Sequence, residues 1–144
     1  MNKTPLSLRF IFGFSLAGFL FSGYLAAVKI FSGACAFKET CPLVLGVPAC
    51  WYGFALYVTL LTLSILAVRK SIGFTHAVIS IAGVSFVGVL FAGTLTATEL
   101  PAYLRNGFAA YTFGVPTCFL GLVFFMLIFV VVALAWSHDR QRNM

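Results

Sequence analysis

Polar and charged positions along this chain gather into short groups, and the stretches between the groups are almost wholly apolar. Four such stretches stand out: Phe10 to Val28, about Ala49 to Val68, about Ala77 to Thr98 and about Thr117 to Trp136. A helix needs about 20 apolar residues to cross the hydrocarbon core of a bilayer, and all four come close to that length. The pattern predicts an all-α membrane protein, a four-transmembrane-helix bundle forming one domain over residues 1–144. The first stretch follows a basic N-terminus, as in a signal peptide. Its 19 apolar residues exceed the roughly 7–15 of a signal h-region, so a retained helix is expected. That span carries Gly13, Gly18, Ser22 and Gly23, small residues of the kind that let helix backbones approach closely in lipid.

Composition agrees: 62% of residues are hydrophobic and only 8% are charged, against about a quarter charged in a soluble domain. The basic residues add an orientation. Lys3 and Arg9 precede the first span, Arg69 and Lys70 follow the second, and Arg140 and Arg142 follow the fourth. The other two loops hold Lys29, Lys38 and Arg105, partly balanced by Glu39 and Glu99. The positive-inside rule then places both termini and the middle loop in the cytoplasm, with the loops at about 30–47 and 100–114 outside. The net charge of +6 reflects this anchoring and gives no reason to expect nucleic acid, since no basic patch sits on a soluble domain. Membrane lipid is the expected surrounding.

The chain also repeats itself. Gly-Val-Pro-x-Cys-x-x-Gly occurs at 46–53 and again at 114–121, 68 residues on. Proline is tolerated in the first turn of a helix and pre-sets its dihedral, so each copy is expected to open a helix with a thiol, Cys50 or Cys118, in its first turn. The ends of spans one and three match at an offset of 70: Gly18/Gly88, Leu20/Leu90, Phe21/Phe91, Gly23/Gly93, Leu25/Leu95 and Ala27/Ala97. Two nearby offsets in the same order indicate one duplication, with repeats at about 10–68 and 77–136, each a helical hairpin. Repeats with an even number of spans are parallel in topology and related by a pseudo-two-fold axis along the membrane normal. Cys50 and Cys118 should then lie at one depth, and Lys29 and Glu99 are equivalent. Gly46, Cys50, Gly53 and Tyr57 fall on one helix face by spacing, as do Gly114, Cys118, Gly121 and Phe125.

Four cysteines carry the concentrated chemistry. Cys35 and Cys41 share the first outer loop, where a disulfide is expected in an oxidising compartment. A structural staple, a redox-active pair, and free thiols or a metal site are all open there. A thiol in the first turn of a helix faces exposed N–H groups, which favour the reactive thiolate. The alternative for Cys50 and Cys118 is passive packing as small hydrophobes. Lys29 and Glu99 are a candidate charge pair, and Lys29 could lower the pKa of a nearby thiol; the alternative is that each snorkels to the interface. His76 and His138 lie on the opposite side from the thiols. No Ser/His/Asp set, phosphate loop or paired carboxylate is present, and no metal is expected.

Ser22-Gly23-Tyr24-Leu25 near the end of span one, then Cys35 and Cys41, then Gly46-Val47-Pro48, Gly53 and Tyr57, together with Val89-Leu90-Phe91-Ala92-Gly93 and Leu95 in span three, resemble the vitamin K epoxide reductase family in its bacterial form. The resemblance implies a bundle of four core helices in the bacterial inner (plasma) membrane. It also implies a thiol–disulfide oxidoreductase that passes electrons from a loop cysteine pair to a Cys-x-x-Cys pair opening span four, and from there to a quinone. A periplasmic or extracellular thioredoxin-like protein would be the redox partner. On this mapping Cys35 and Cys41 are the loop shuttle, and Cys118 is the second cysteine of the membrane pair. The first falls at Val115, so the motif reads Val-Pro-Thr-Cys. If Cys50 and Cys118 face each other across the pseudo-axis, they replace that pair, and thiol–disulfide exchange links them to the loop. Two other readings stay open: a non-catalytic four-helix bundle with structural disulfides that assembles with a partner, and a thiol-based soft-metal carrier.

Overall fold

A computed structural model describes residues 6–33, 43–107, 116–142 and 144. Cys35, Cys41, Gly114 and Val115 lie outside the described residues. Helix α1 spans Leu6–Ser32, α2 Ala49–Val68, α3 Phe74–Asn106 and α4 Thr117–Arg142. All four are long and apolar enough to cross a membrane, as expected of an integral membrane protein. The hydrophobic pattern located α2 to the residue and the first residue of α4. It underestimated α1 at both ends and α4 at its C-terminal end, because it registers apolar residues, whereas backbone hydrogen bonding carries a helix on through polar ones.

The largest departure is in α3. The outer loop was expected from about residue 100, yet the helix continues through Pro101 to Asn106. Proline removes one i→i−4 hydrogen bond and crowds the preceding turn, but here the helix resumes beyond it. It stops at Gly107, whose φ of 68° is a left-handed conformation that glycine adopts without a Cβ penalty. The Gly107 N–H closes the last turn on the Tyr103 carbonyl at 2.9 Å. At 33 residues, α3 is about 50 Å long at 1.5 Å per residue, well beyond the roughly 30 Å of a hydrocarbon core.

The segment before α2 also departs from expectation. Leu43–Val44 (β1) and Val47–Pro48 (β2) form a small antiparallel hairpin, pairing Leu43 with Pro48 and Val44 with Val47. Its turn residues Leu45 and Gly46 both have positive φ, 53° and 82°, the signature of the two-residue turns that match strand twist. Gly46 therefore belongs to a turn, and it does not extend the helical stripe of Cys50, Gly53 and Tyr57. Pro48 (φ −57°, ψ 135°) caps α2 from just outside it. The Tyr52 hydroxyl donates to the Val44 carbonyl at 3.2 Å and ties the hairpin to the first turn of α2.

The turn between α2 and α3 closes with Ser71 N–H on Leu66 O (3.0 Å) and Lys70 N–H on Ala67 O (3.1 Å). With Lys70 at φ 58°, this is a Schellman end that uses lysine where glycine is usual.

Helix α1 packs most closely on α2, and α3 on α4; α2–α3 and α1–α4 contacts close the ring. The pairs α1/α3 and α2/α4 stand across the diagonals. Each helix buries one stripe at helical spacing. In α1 the stripe includes Leu8, Ile11, Ser15, Gly18 and Ser22, and in α3 it includes Val78, Ile81, Ser85, Gly88 and Ala92. The two sets stand 70 residues apart, position for position. In α2 the stripe includes Tyr57, Leu60 and Ser64, and in α4 it includes Phe125, Ile128 and Val132, 68 residues apart. The buried serines are hydrogen-bonded: Ser64 to Leu60 O and Ser85 to Ile81 O, each at 2.7 Å, with Ser15 Oγ 3.5 Å from Ser64 Oγ. A hydroxyl bonded one turn back removes the cost of burying it.

Candidate functional site

The centre of the bundle is a row of four residues, one from each helix. Tyr57 and Phe125 stack across the α2/α4 diagonal with ring centroids 4.4 Å apart and planes 14° apart. Behind each ring is a glycine. A Cβ built on Gly18 would lie 2.7 Å from Tyr57 Cζ, and one on Gly88 would lie 2.7 Å from Phe125 Cγ, closer than real Cβ atoms come. Each aromatic ring therefore fills the space left by a missing side chain. The Tyr57 hydroxyl donates to the Gly121 carbonyl at 3.1 Å, pinning α2 to α4 one turn beyond the stack. This row fixes which faces of α2 and α4 look at each other.

Cys50 and Cys118 are each the second residue of their helix. Each precedes its aromatic partner in the central stack by seven residues. Seven residues are close to two turns, about 10 Å along the axis, and return to nearly the same face. The thiols thus lie on the inward-facing stripes of two diagonal helices, toward the end where α2 and α4 begin. Both are half-buried thiols, with no disulfide between them.

The charged residues meet the thiols hairpin by hairpin. In the second hairpin, the Cys118 Sγ–H donates to Glu99 Oε1 at 4.0 Å. In the first, among the described residues, the Lys29 ammonium exerts a weak favourable field on Cys50. Lys29 Nζ also donates to Gly33 O at 3.0 Å, closing the C-terminal end of α1 where a cation complements the helix dipole. So Lys29 and Glu99 each act on the thiol of their own hairpin. One thiol feels the field of a cation, and the other donates to a carboxylate. An effect of Lys29 on a nearby thiol is legible in the sequence; the contact of Glu99 with Cys118 is not.

Above the row, Tyr52 and Phe91 rings lie 5.6 Å apart, joining the start of α2 to α3 and covering the thiol end on that side. His76 and His138 are exposed, on helices whose relevant ends are remote from the thiols. Chemically, this end of the bundle offers two thiols at matched register, a carboxylate that accepts from one of them, a phenol hydroxyl held against a backbone carbonyl, and apolar walls. Comparison with protein-family models, with curated proteins and with solved structures finds no match to this chain.

Proposed function

We infer that this protein is a membrane thiol–disulfide oxidoreductase of the vitamin K epoxide reductase-like type, in which Cys50 and Cys118 serve as the membrane-level pair. What carries this reading is the placement of both thiols two turns from the Tyr57–Phe125 stack, on the facing stripes of α2 and α4. The route starts with the Cys35/Cys41 dithiol of the loop. One of its thiolates attacks a sulfur of a Cys50–Cys118 disulfide, and the second loop thiol resolves the mixed disulfide. The loop pair is oxidised, the membrane pair is reduced, and two electrons with two protons are transferred. A quinone then takes both electrons and both protons, leaving a quinol and the Cys50–Cys118 disulfide restored.

The same reading takes the bundle as two parallel-topology hairpin repeats, with the pseudo-two-fold axis running between Tyr57 and Phe125. The paired glycines, aromatic rings and buried stripes at offsets of 70 and 68 support this. Both termini are placed in the cytoplasm of a bacterial inner membrane, so that the thiol end faces outward toward a thioredoxin-like donor. Thiol trapping in native membranes tests the relay. With a mass tag on reduced cysteines, Cys50→Ser or Cys118→Ser should leave Cys35 and Cys41 trapped in the reduced state. If both variants keep the wild-type redox state of the loop pair, the relay is wrong.

One observation favours a second reading. The stack of Tyr57 on Phe125, backed by Gly18 and Gly88, closes the centre between the hairpins with rigid packing. A non-catalytic bundle needs nothing more, and the same trapping result against the relay would support it.

A further inference from the structure

We propose that Glu99 is the proton acceptor for Cys118, the group that takes the thiol proton when the Cys118 sulfur forms a new bond. The proposal rests on the oxidoreductase reading for its biological use but not for its geometry. In that geometry the Cys118 Sγ–H is already directed at Glu99 Oε1, at 4.0 Å. Both groups are partly buried, at the junction of the long helix α3 with the start of α4, where bulk water is a poorer competitor for the proton.

The step balances as follows. When the membrane pair is reoxidised, the Cys50 thiol adds to the quinone and its proton goes to a quinone oxygen; the Cys118 S–H bond then breaks, its electron pair forms the S–S bond to Cys50, and the Cys50–quinone bond breaks with its electron pair staying on the quinone. The Cys118 proton passes to Glu99 Oε1. The two electrons released by the pair go to the quinone, and Glu99 later passes the proton on to the same acceptor or to water. A positioned base of this kind contributes about 10²–10⁴-fold in typical cases. Cys50 has no counterpart, because the equivalent of Glu99 in its hairpin is Lys29, an ammonium that donates and cannot accept. Among the described residues the two thiols are therefore chemically distinct, and Cys118 is the one with an adjacent carboxylate to take its proton. Among the described residues, the other titratable groups at this end are Tyr57 on α2, whose hydroxyl is held by Gly121 O, Tyr52 and Cys50 on α2, Lys29 and Tyr24 on α1, and Tyr103 and Arg105 on α3 itself.

The test uses the full chain with Cys35, Cys41 and Cys50 replaced by serine, leaving Cys118 as its one thiol. Its alkylation by N-ethylmaleimide is followed in membranes from about pH 5 to pH 8, above the ordinary carboxylate pKa of about 4 and below the ordinary thiol pKa of about 8.5. With Glu99 as base, the rate falls by much less than tenfold per pH unit through the middle of that range. Glu99→Gln should steepen the profile to about tenfold per unit and slow the reaction at least tenfold at neutral pH. Glu99→Asp, which keeps a carboxylate, should recover the shallow profile in part. A parent profile that already falls tenfold per unit overturns the proposal even if the Gln variant misfolds. So does a Gln variant as fast as the parent or faster, which would mean that the carboxylate only suppresses the thiolate. Failure here with a positive trapping result removes Glu99 alone; a shallow profile with a negative trapping result removes the relay and leaves the thiol–carboxylate pair.

Discussion

Gly18→Ala tests the central row. The new Cβ would overlap the Tyr57 ring, with Cζ at 2.7 Å. The ring has no free direction of retreat: its other face lies on Phe125 at 4.4 Å, and its hydroxyl is bonded to Gly121 O at 3.1 Å. Forcing a methyl into packed space costs about 1–3 kcal/mol. Tilting the ring away also gives up part of a stacking contact worth about 0.5–1.5 kcal/mol and part of a hydrogen bond of about 0.5–1.5 kcal/mol. Alanine returns about 1 kcal/mol of helix propensity over glycine. The net is a loss of about 2–3 kcal/mol, and Gly88→Ala should cost a similar amount against Phe125. Gly13→Ala is the control, because nothing lies within 4 Å of its Cβ; it should be neutral or stabilising by up to about 1 kcal/mol. Stability is read by reversible unfolding of the purified protein in mixed micelles. Adding Tyr57→Leu to Gly18→Ala should recover part of the loss, giving a coupling above about 0.5 kcal/mol. A Gly18→Ala protein as stable as the Gly13→Ala control would refute the packing argument.

Three further outcomes follow from local geometry and are read by the same unfolding assay unless stated. Leu45→Asn relieves a bulky side chain held at φ 53° and should stabilise the hairpin by about 1 kcal/mol, seen as slower amide exchange at Val44 and Val47. Tyr57→Phe keeps the stack but removes the bond to Gly121 O, and should cost about 0.5–1.5 kcal/mol. Pro101→Ala restores a backbone donor inside α3 and should raise stability, by up to about 3 kcal/mol if the proline is unrelieved, without changing where the helix ends at Gly107.

The spans were legible because their apolar runs are long and because Pro48 and Pro116 stand just before α2 and α4. The end of α3 was not, since a Glu-Leu-Pro stretch reads as a boundary while backbone bonding carries the helix on to Asn106. The hairpin at 43–48 was also hidden: two-residue strands have no periodicity to detect, and Leu-Gly is a weak turn signal beside Asn-Gly. For the site, recurrence singled out Cys50, Cys118, Lys29 and Glu99, but the thiol–carboxylate contact depends on how α3 meets α4, which spacing does not show. The matched positions reach further than their most obvious segment. Ile11/Ile81 and Ser15/Ser85 match at the same offset of 70, and they became visible as a pattern once both stripes were found buried. Likewise, Gly18 and Gly88 read as general close-packing residues until Tyr57 and Phe125 were found against them.

The relay stands or falls on whether Cys50 and Cys118 can join. The direct measurement is peptide mapping by mass spectrometry of the full-length protein in liposomes, alkylated before and after oxidation by an added quinone. The account predicts a disulfide-linked peptide pair containing Cys50 and Cys118 after oxidation, lost again when a dithiol reductant is supplied. Oxidation that joins only Cys35 to Cys41, with Cys50 and Cys118 alkylated as thiols throughout, would contradict it.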